Sequence, residues 1–258
     1  MRRLIPDMQH MPSFRRIALF GGICAIVATS ALGYQMRAPL IEGFYTKTIE
    51  TGFAVKYIDI KGRNHTSDTH ILAALNINEG DPILRLQLND IRERLLNIGW
   101  VEDALVRRHL PDRLEIILQE RIPLALWETD AGHKVIDSAG KTITEANSRN
   151  FTHLTVISGE NAPTKAHEIL QMLQTEPELF ADVWAVQLVS DRRWDVFLRS
   201  GVTVRLPESE AGNAWSKLAL IEQEKQITAR DISTIDLRIP DKLVVEPNKF
   251  IPAKGQKT

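Results

Sequence analysis

The run Ile17 to Leu32, reading IALFGGICAIVATSAL, holds no charge and nothing more polar than Thr29 or Ser30. It has no polar side that could face solvent, which disfavours a buried helix of a soluble domain. Extended through Gly33-Tyr34-Gln35-Met36, it reaches about 20 residues, enough to cross the hydrocarbon of a lipid bilayer. A transmembrane helix is therefore predicted over residues 17–36, behind a short tail of residues 1–16. Arg2, Arg3, Arg15 and Arg16 precede the run, opposed by Asp7, whereas Arg37, Glu42, Lys47 and Glu50 nearly cancel after it. Lys and Arg stay on the cytoplasmic side, so the tail is expected inside and the remaining 220 or so residues outside. A cleaved signal peptide is the competing reading, with Ala28-Thr29-Ser30 as a small-residue cleavage pattern. The length of the run and Tyr34, placed as an interfacial aromatic, favour an uncleaved anchor.

Composition narrows what the exterior part does. The 32 Lys and Arg balance 33 Asp and Glu, so the chain lacks the basic footprint of a nucleic-acid binder. The one cysteine, Cys24, lies in the apolar run, which rules out an intramolecular disulfide. An exterior domain without disulfides relies on packing, for which this length suffices.

After a mixed connector (residues 37–52, with Pro39, Gly43 and Gly52) comes a compact block over 53–121. Val55 to Lys61 alternates as a strand with Ile58 and Ile60 on one face. Gly62-Arg63-Asn64 turns the chain. Thr66 or Ser67 caps a short helix in which Ile71, Leu72 and Leu75 share a face. A loop from Asn76 to Pro82 leads to a second helix starting near Asn89 or Asp90. Its Leu88, Ile91, Leu95 and Ile98 step by three and four, Asp90 and Glu93 have capping-box spacing, and Gly99 ends it. Two strands follow, Trp100 to Leu110 and Arg113 to Glu120, joined at Pro111-Asp112. Leu114, Ile116 and Leu118 share one side of the second. The order strand, helix, helix, strand, strand gives a small α+β layer fold.

The remainder, 122–247, is rich in strands: Leu124 to Thr129, His133 to Ile136, Lys141 to Thr144 and Leu154 to Ile157. A helix begins at Pro163 with Ala166, Ile169, Leu170 and Leu173 inward. A meander follows over Val183 to Val189, Trp194 to Arg199 and Val202 to Leu206. Then come a helix over Glu210 to Gln226 and two final strands, Thr234 to Ile239 and Lys242 to Val245. A second, mostly antiparallel β domain with two helices is predicted. Residues 248–258 read as a flexible tail.

No catalytic constellation emerges. A G-x-S-x-G elbow, a P-loop and an H-E-x-x-H pair are all lacking. His65 and His70 have poor metal spacing, and Glu42, Glu50, Glu176 and Glu178 read as solvated surface. Arg107 and Arg108 point to opposite faces of one strand, so they read as cross-strand partners of Glu115 or Glu120. Trp100 and Trp127 read as packing anchors between domains. Trp184, Trp194 and Trp215 are assigned to the second core.

Several phrases carry a resemblance. Gly62-Arg-Asn64, Glu79-Gly-Asp-Pro82, Gly99-Trp-Val-Glu102, Ala104-Leu-Val-Arg-Arg108, Leu110-Pro-Asp112 and Glu120-Arg121 together look like a POTRA domain. Trp100-Val-Glu-Asp-Ala-Leu-Val-Arg-Arg-His-Leu-Pro-Asp-Arg-Leu114, Glu120-Arg-Ile-Pro-Leu-Ala-Leu-Trp127 and Ile235-Asp-Leu-Arg-Ile-Pro-Asp-Lys-Leu-Val-Val245 are similar to the FtsQ/DivIB family of cell-division proteins. The resemblance implies a non-enzymatic, cofactor-free, single-pass inner-membrane protein of the division septum, with two periplasmic domains. Such a protein scaffolds the divisome, joining early division components to the FtsB–FtsL pair and the septal cell-wall synthase. FtsW/FtsI and FtsK are expected to be met through the POTRA and membrane regions. In the family the last strands receive FtsB by strand addition. The matching positions are Asp236, Leu237, Arg238, Ile239, Lys242, Leu243, Val244 and Val245. Ordinary sheet core is an equal reading for Leu237, Ile239 and Val244, and which strand forms the edge stays open. A POTRA-type transport or assembly factor and an anchored periplasmic hydrolase are the alternative functions.

Overall fold

The computed structural model describes residue 34, residues 37–239 and residues 242–248. The expected tail (1–16), nearly all of the expected anchor (17–36), the Pro240-Asp241 turn and the tail beyond Asn248 lie outside the described residues. Among the described residues, no helix is long and apolar enough to cross a membrane.

The stretch read only as a connector is helical over residues 37–50 (α1). Pro39 and Gly43 are poor helix formers, but the turns are reinforced locally. The hydroxyls of Thr46 and Thr48 donate to the carbonyls of Glu42 and Tyr45, and Lys47 pairs with Glu50 at 2.8 Å. Gly52, at φ +94°, then takes a backbone conformation costly for any other residue.

A three-stranded sheet and two helices follow: β1 (Tyr57–Lys61), α2 (Asp68–Leu75), α3 (Leu88–Leu96), β2 (Val101–His109) and β3 (Arg113–Glu120). The strand order is β1-β3-β2, with β1 parallel to β3 and Ile58 opposite Leu114. Ser67 caps α2, its Oγ accepting from the His70 N–H at 3.3 Å. Ile71 and Leu75 are fully buried, but Leu72 is 54% exposed, because one step along a helix turns a side chain about 100° off the buried stripe. α3 starts two residues before Asp90, so Asp90 lies inside its first turn rather than capping it. There it complements the positive end of the helix dipole. Gly62 has φ +77°, and a Cβ there would stand 2.0 Å from the Leu118 carbonyl oxygen, so the turn after β1 admits only glycine.

The remaining chain builds an eight-stranded sheet from β4 (Pro123–Thr129), β5 (Gly132–Asp137), β6 (Val156–Ser158), β7 (Val183–Val189), β8 (Arg193–Leu198), β9 (Thr203–Arg205), β10 (Ile232–Asp236) and β11 (Val244–Pro247). The order is β11-β10-β9-β8-β7-β6-β4-β5. It is a mixed sheet. β7, β8 and β9 form the expected antiparallel meander, while β6 is parallel to β4 and β7, and β10 is parallel to β9. Helices α4 (Ala162–Leu173) and α6 (Ala211–Lys225) supply one face of the core, and a short α5 (Pro177–Phe180) follows α4. Ala166, Ile169, Leu170 and Leu173 of α4 and Trp215 and Leu218 of α6 pack with Val186, Val196, Val204 and Ile235 of the sheet. Trp215 is wholly buried, and its indole N–H donates to the Leu173 carbonyl at 3.0 Å, which satisfies its one polar atom. Trp184 departs from expectation: it is 47% exposed, beside Phe197. Residues 141–144 are not a strand and make one bridge, Ile136 to Thr142.

The chain divides into two compact units. One comprises the described residues up to Lys61 with Leu75–Arg92 and Leu105–Ile117; the other comprises Gly62–Ala74, Glu93–Ala104 and the residues from Leu118 onward. Within the second unit Trp100 packs with Leu126, Val135 and Ile143. It is stacked on His65 at 4.3 Å. Arg121 pairs with Asp137 at 2.6 Å, both side chains buried.

Candidate functional site

Edges are where a sheet meets other chains, because each edge strand keeps one row of unspent N–H and C=O groups. The eight-stranded sheet treats its two edges differently. At β5 the chain folds back on itself: Ile143 N–H donates to Val135 O at 2.9 Å and Asp137 N–H to Lys141 O at 3.0 Å. That segment covers the second half of the edge. At β11 the sheet ends, and no other strand among the described residues pairs with its outer side.

β11 is held only by β10, antiparallel, with Asp236 opposite Val244, Ile235 opposite Val245 and Thr234 opposite Glu246. All four of its residues are exposed, with Val244 at 41% and Val245 at 37%. Ser233 Oγ donates to the Glu246 carbonyl at 3.2 Å, and Arg205 reaches the Glu246 carboxylate at 3.5 Å. These contacts fix the strand from its inner side and from one face.

The eight residues singled out from the sequence divide into three groups. Asp236 ends β10, which has neighbours on both sides, and is buried. Its carboxyl is held below the usual range, first by the Arg238 side chain, whose Nε donates at 2.9 Å. Leu237, Arg238, Ile239, Lys242 and Leu243 lie outside both strands, a correction to the expected boundaries. The strand stops because Leu237 N–H still finds Arg205 O at 3.0 Å, after which Arg238 folds back onto Asp236 and the ladder has no further partner. Leu237 is buried and Ile239 is 49% exposed. Val244 and Val245 alone of the eight stand on the edge strand.

The middle group, with α6, lines a cleft of about 630 Å³. Its apolar wall comes from Leu218, Ile221, Leu237 and Leu243, and its charged lining is mixed, with Lys217, Lys242, Glu210 and the Asp236-paired Arg238. The contribution of α6 was hidden in the sequence, because Leu218 and Ile221 fit an inward stripe whether or not a cleft opens beside them. Next to this region, on β8, burial raises the Asp195 carboxyl above its ordinary value despite Arg193, Arg205 and Arg238 nearby.

The other sequence candidates have structural partners. Arg108 donates to the Leu86 carbonyl instead of meeting Glu115 or Glu120. Glu115 takes Lys61 at 2.7 Å and His109 at 3.0 Å. Glu120 accepts the N–H groups of His65 and Thr66 and the Thr66 hydroxyl. Glu176 accepts from Ser216. Among the described residues, no group of three or more His, Cys, Asp or Glu is placed to hold a metal ion.

Comparison with known proteins agrees with this architecture. Residues 53–121 match the family model of the FtsQ-type POTRA domain, and residues 125–238 match that of the cell division protein FtsQ/DivIB C-terminal domain. The chain is 34% identical to Cell division protein FtsQ of Caulobacter vibrioides (strain NA1000 / CB15N) over 234 residues, covering 91% of this chain and 78% of that protein. It is 30% identical to the protein of that name from Rickettsia felis over 231 residues, 90% of this chain and 86% of the relative. With the Rhizobium meliloti protein the identity is 29% over 221 residues, 86% and 72% of the two chains. Two family models lying end to end over these domains, and relatives aligned along most of their own length, establish that the chain belongs to the FtsQ/DivIB family of cell division proteins.

Proposed function

We propose that this protein is a bitopic inner-membrane scaffold of the divisome, linking early division proteins to the FtsB–FtsL pair and the septal peptidoglycan synthase, with FtsW/FtsI and FtsK as further contacts. Its N-terminus is cytoplasmic and both folded domains are periplasmic. Its work is binding, with no bond made or broken. The observation that carries the reading is the outer edge of β11, unpaired among the described residues, on a sheet whose opposite edge is covered over its second half. A partner strand takes up the free backbone donors and acceptors there. Each such hydrogen bond contributes about 0.5–1.5 kcal/mol net, so a four-residue edge gives modest affinity by itself. Side chains at the edge and in the adjoining cleft add specificity.

The test is binding of an FtsB peptide to the purified protein, with circular dichroism as folding control. Proline lacks the N–H and cannot continue a ladder. Val244→Pro is expected to abolish capture and Lys242→Ala to weaken it modestly. Val245→Glu is expected to weaken it through lost apolar contact. Undiminished binding by a folded Val244→Pro protein would move the partner edge elsewhere.

A further inference from the structure

Helix α1 presents Leu40, Ile41 and Phe44 to the outside, exposed at 67%, 50% and 58%. At about 100° per residue these three fall within an arc of roughly 100°, with Arg37 between them. The fold sets the direction of that arc. Arg85 pairs with Glu42 at 3.0 Å, and its guanidinium lies 5.6 Å from the Tyr45 ring centroid. Tyr45 and Glu42 sit about 90° and 150° from the middle of the apolar arc. Holding them to the Arg85 loop therefore leaves Leu40, Ile41 and Phe44 turned away from it.

We propose that this face of α1 rests in the headgroup layer of the lipid bilayer, so that the first exterior helix is a membrane-surface contact. The proposal rests on the reading of residues 17–36 as an anchor. Three observations select lipid as the occupant. The expected anchor, residues 17–36, has 20 residues, about 30 Å of helix, which matches the hydrocarbon core and brings the chain out of it near Met36, next to this helix. Leu40 lies four residues past Met36 and Phe44 eight, about 6 Å and 12 Å along a helix. The headgroup zone is about 5–8 Å deep, and helix tilts average about 20°, so Leu40 falls within it, while the Phe44 backbone lies about 11 Å out, past the zone, with its ring leaning back toward it as long helical side chains lean toward the N-terminus. Arg37 stands in the middle of the stripe. In a dry helix pair its charge would be costly, whereas at a bilayer surface its stem lies along the apolar layer and its guanidinium meets phosphate and water. Tyr34, helical and 75% exposed, adds an interfacial aromatic in the preceding turn.

The test places single spin labels on the full chain in nanodiscs of phosphatidylethanolamine and phosphatidylglycerol. Native Cys24 is labelled in one sample. Leu40→Cys, Phe44→Cys, Thr46→Cys and Glu50→Cys are labelled in a Cys24→Ser background. Oxygen reports lipid and a nickel chelate reports water. The expected result is oxygen access at 40 and 44 and nickel access at 46 and 50, with the Cys24 label deep in lipid. If Cys24 is in lipid but 40 and 44 are as open to nickel as 46, the proposal fails while the anchor stands. If labels at 40 and 44 are immobile and shielded from both probes, a protein covers the stripe and the proposal is overturned. Nickel access at Cys24 would overturn the anchor itself, and the proposal with it.

Discussion

Glu120 organises the loop between β1 and α2 through one carboxylate. Burial opposes its ionisation, yet the hydroxyl and N–H of Thr66 and the N–H groups of His65 and Asn64 hold the carboxyl down at about 2. Its side chain is only 5% exposed, so these bonds are poorly screened by water. The unfolded chain takes up this proton near pH 4.5, whereas the folded protein resists until about 2. The stabilisation is therefore complete above the first value and drains away as pH falls toward the second. It amounts to on the order of 2–3 kcal/mol. Glu120→Gln is expected to lower the urea midpoint at pH 7 and to flatten the loss of stability between pH 4.5 and 2. Unchanged melts across that range would mean another group drives acid unfolding. Glu120-Arg121 was legible as a motif, but its roles were not. The sequence reading gave Glu120 a cross-strand arginine, and the fold gives it a loop. Arg121 meets Asp137, 16 positions on, a separation that no local rule bridges.

Helix α3 shows which properties of an element are local. The steps from Leu88 to Ile91, Leu95 and Ile98 follow the helical period, and Ile91, Leu95 and Ile98 are buried. Leu95 is fully so, and Leu95→Ala is expected to cost about 2–5 kcal/mol through lost contacts and a cavity. Leu95→Asp is expected to unfold the domain, since it buries an unpaired charge. Urea titration of the two variants checks this; a Leu95→Asp protein that melts like the parent would place the residue on the surface. The element ends were harder to read. β10 stops at Asp236 and β11 starts at Val244, each inside or beyond the range that alternation suggested. Leu237 to Ile239 alternate as a strand would, but beyond the Leu237 N–H bond to Arg205 no strand pairs with them, and alternation records burial rather than pairing.

At the scale of the whole molecule, the arginine imbalance around residues 17–36 is expected to set the orientation of the proposed anchor. A phosphatase reporter joined after Thr258 is expected to be active, and a reporter that needs the cytoplasm to be silent. Recovery of a soluble form beginning near Ala31 would establish cleavage instead of anchoring. The sequence by itself determined what depends on near neighbours: the apolar run, the helical stripe of α4, the alternation of β3 and the glycine turn at Gly62. Each follows from periods of 2 and 3.6 residues or from the backbone freedom of one residue. Only the tertiary structure decided the strand order, the parallel insertion of β6, the exposure of Trp184 and the cleft beside α6. It also decided how the described edges differ. β5 and β11 are both edge strands, and among the described residues only β5 has a following segment that returns to cover part of it. That difference arises because strand pairing joins residues far apart in the chain, and a local pattern shows that a residue is buried without showing which chain lies beside it.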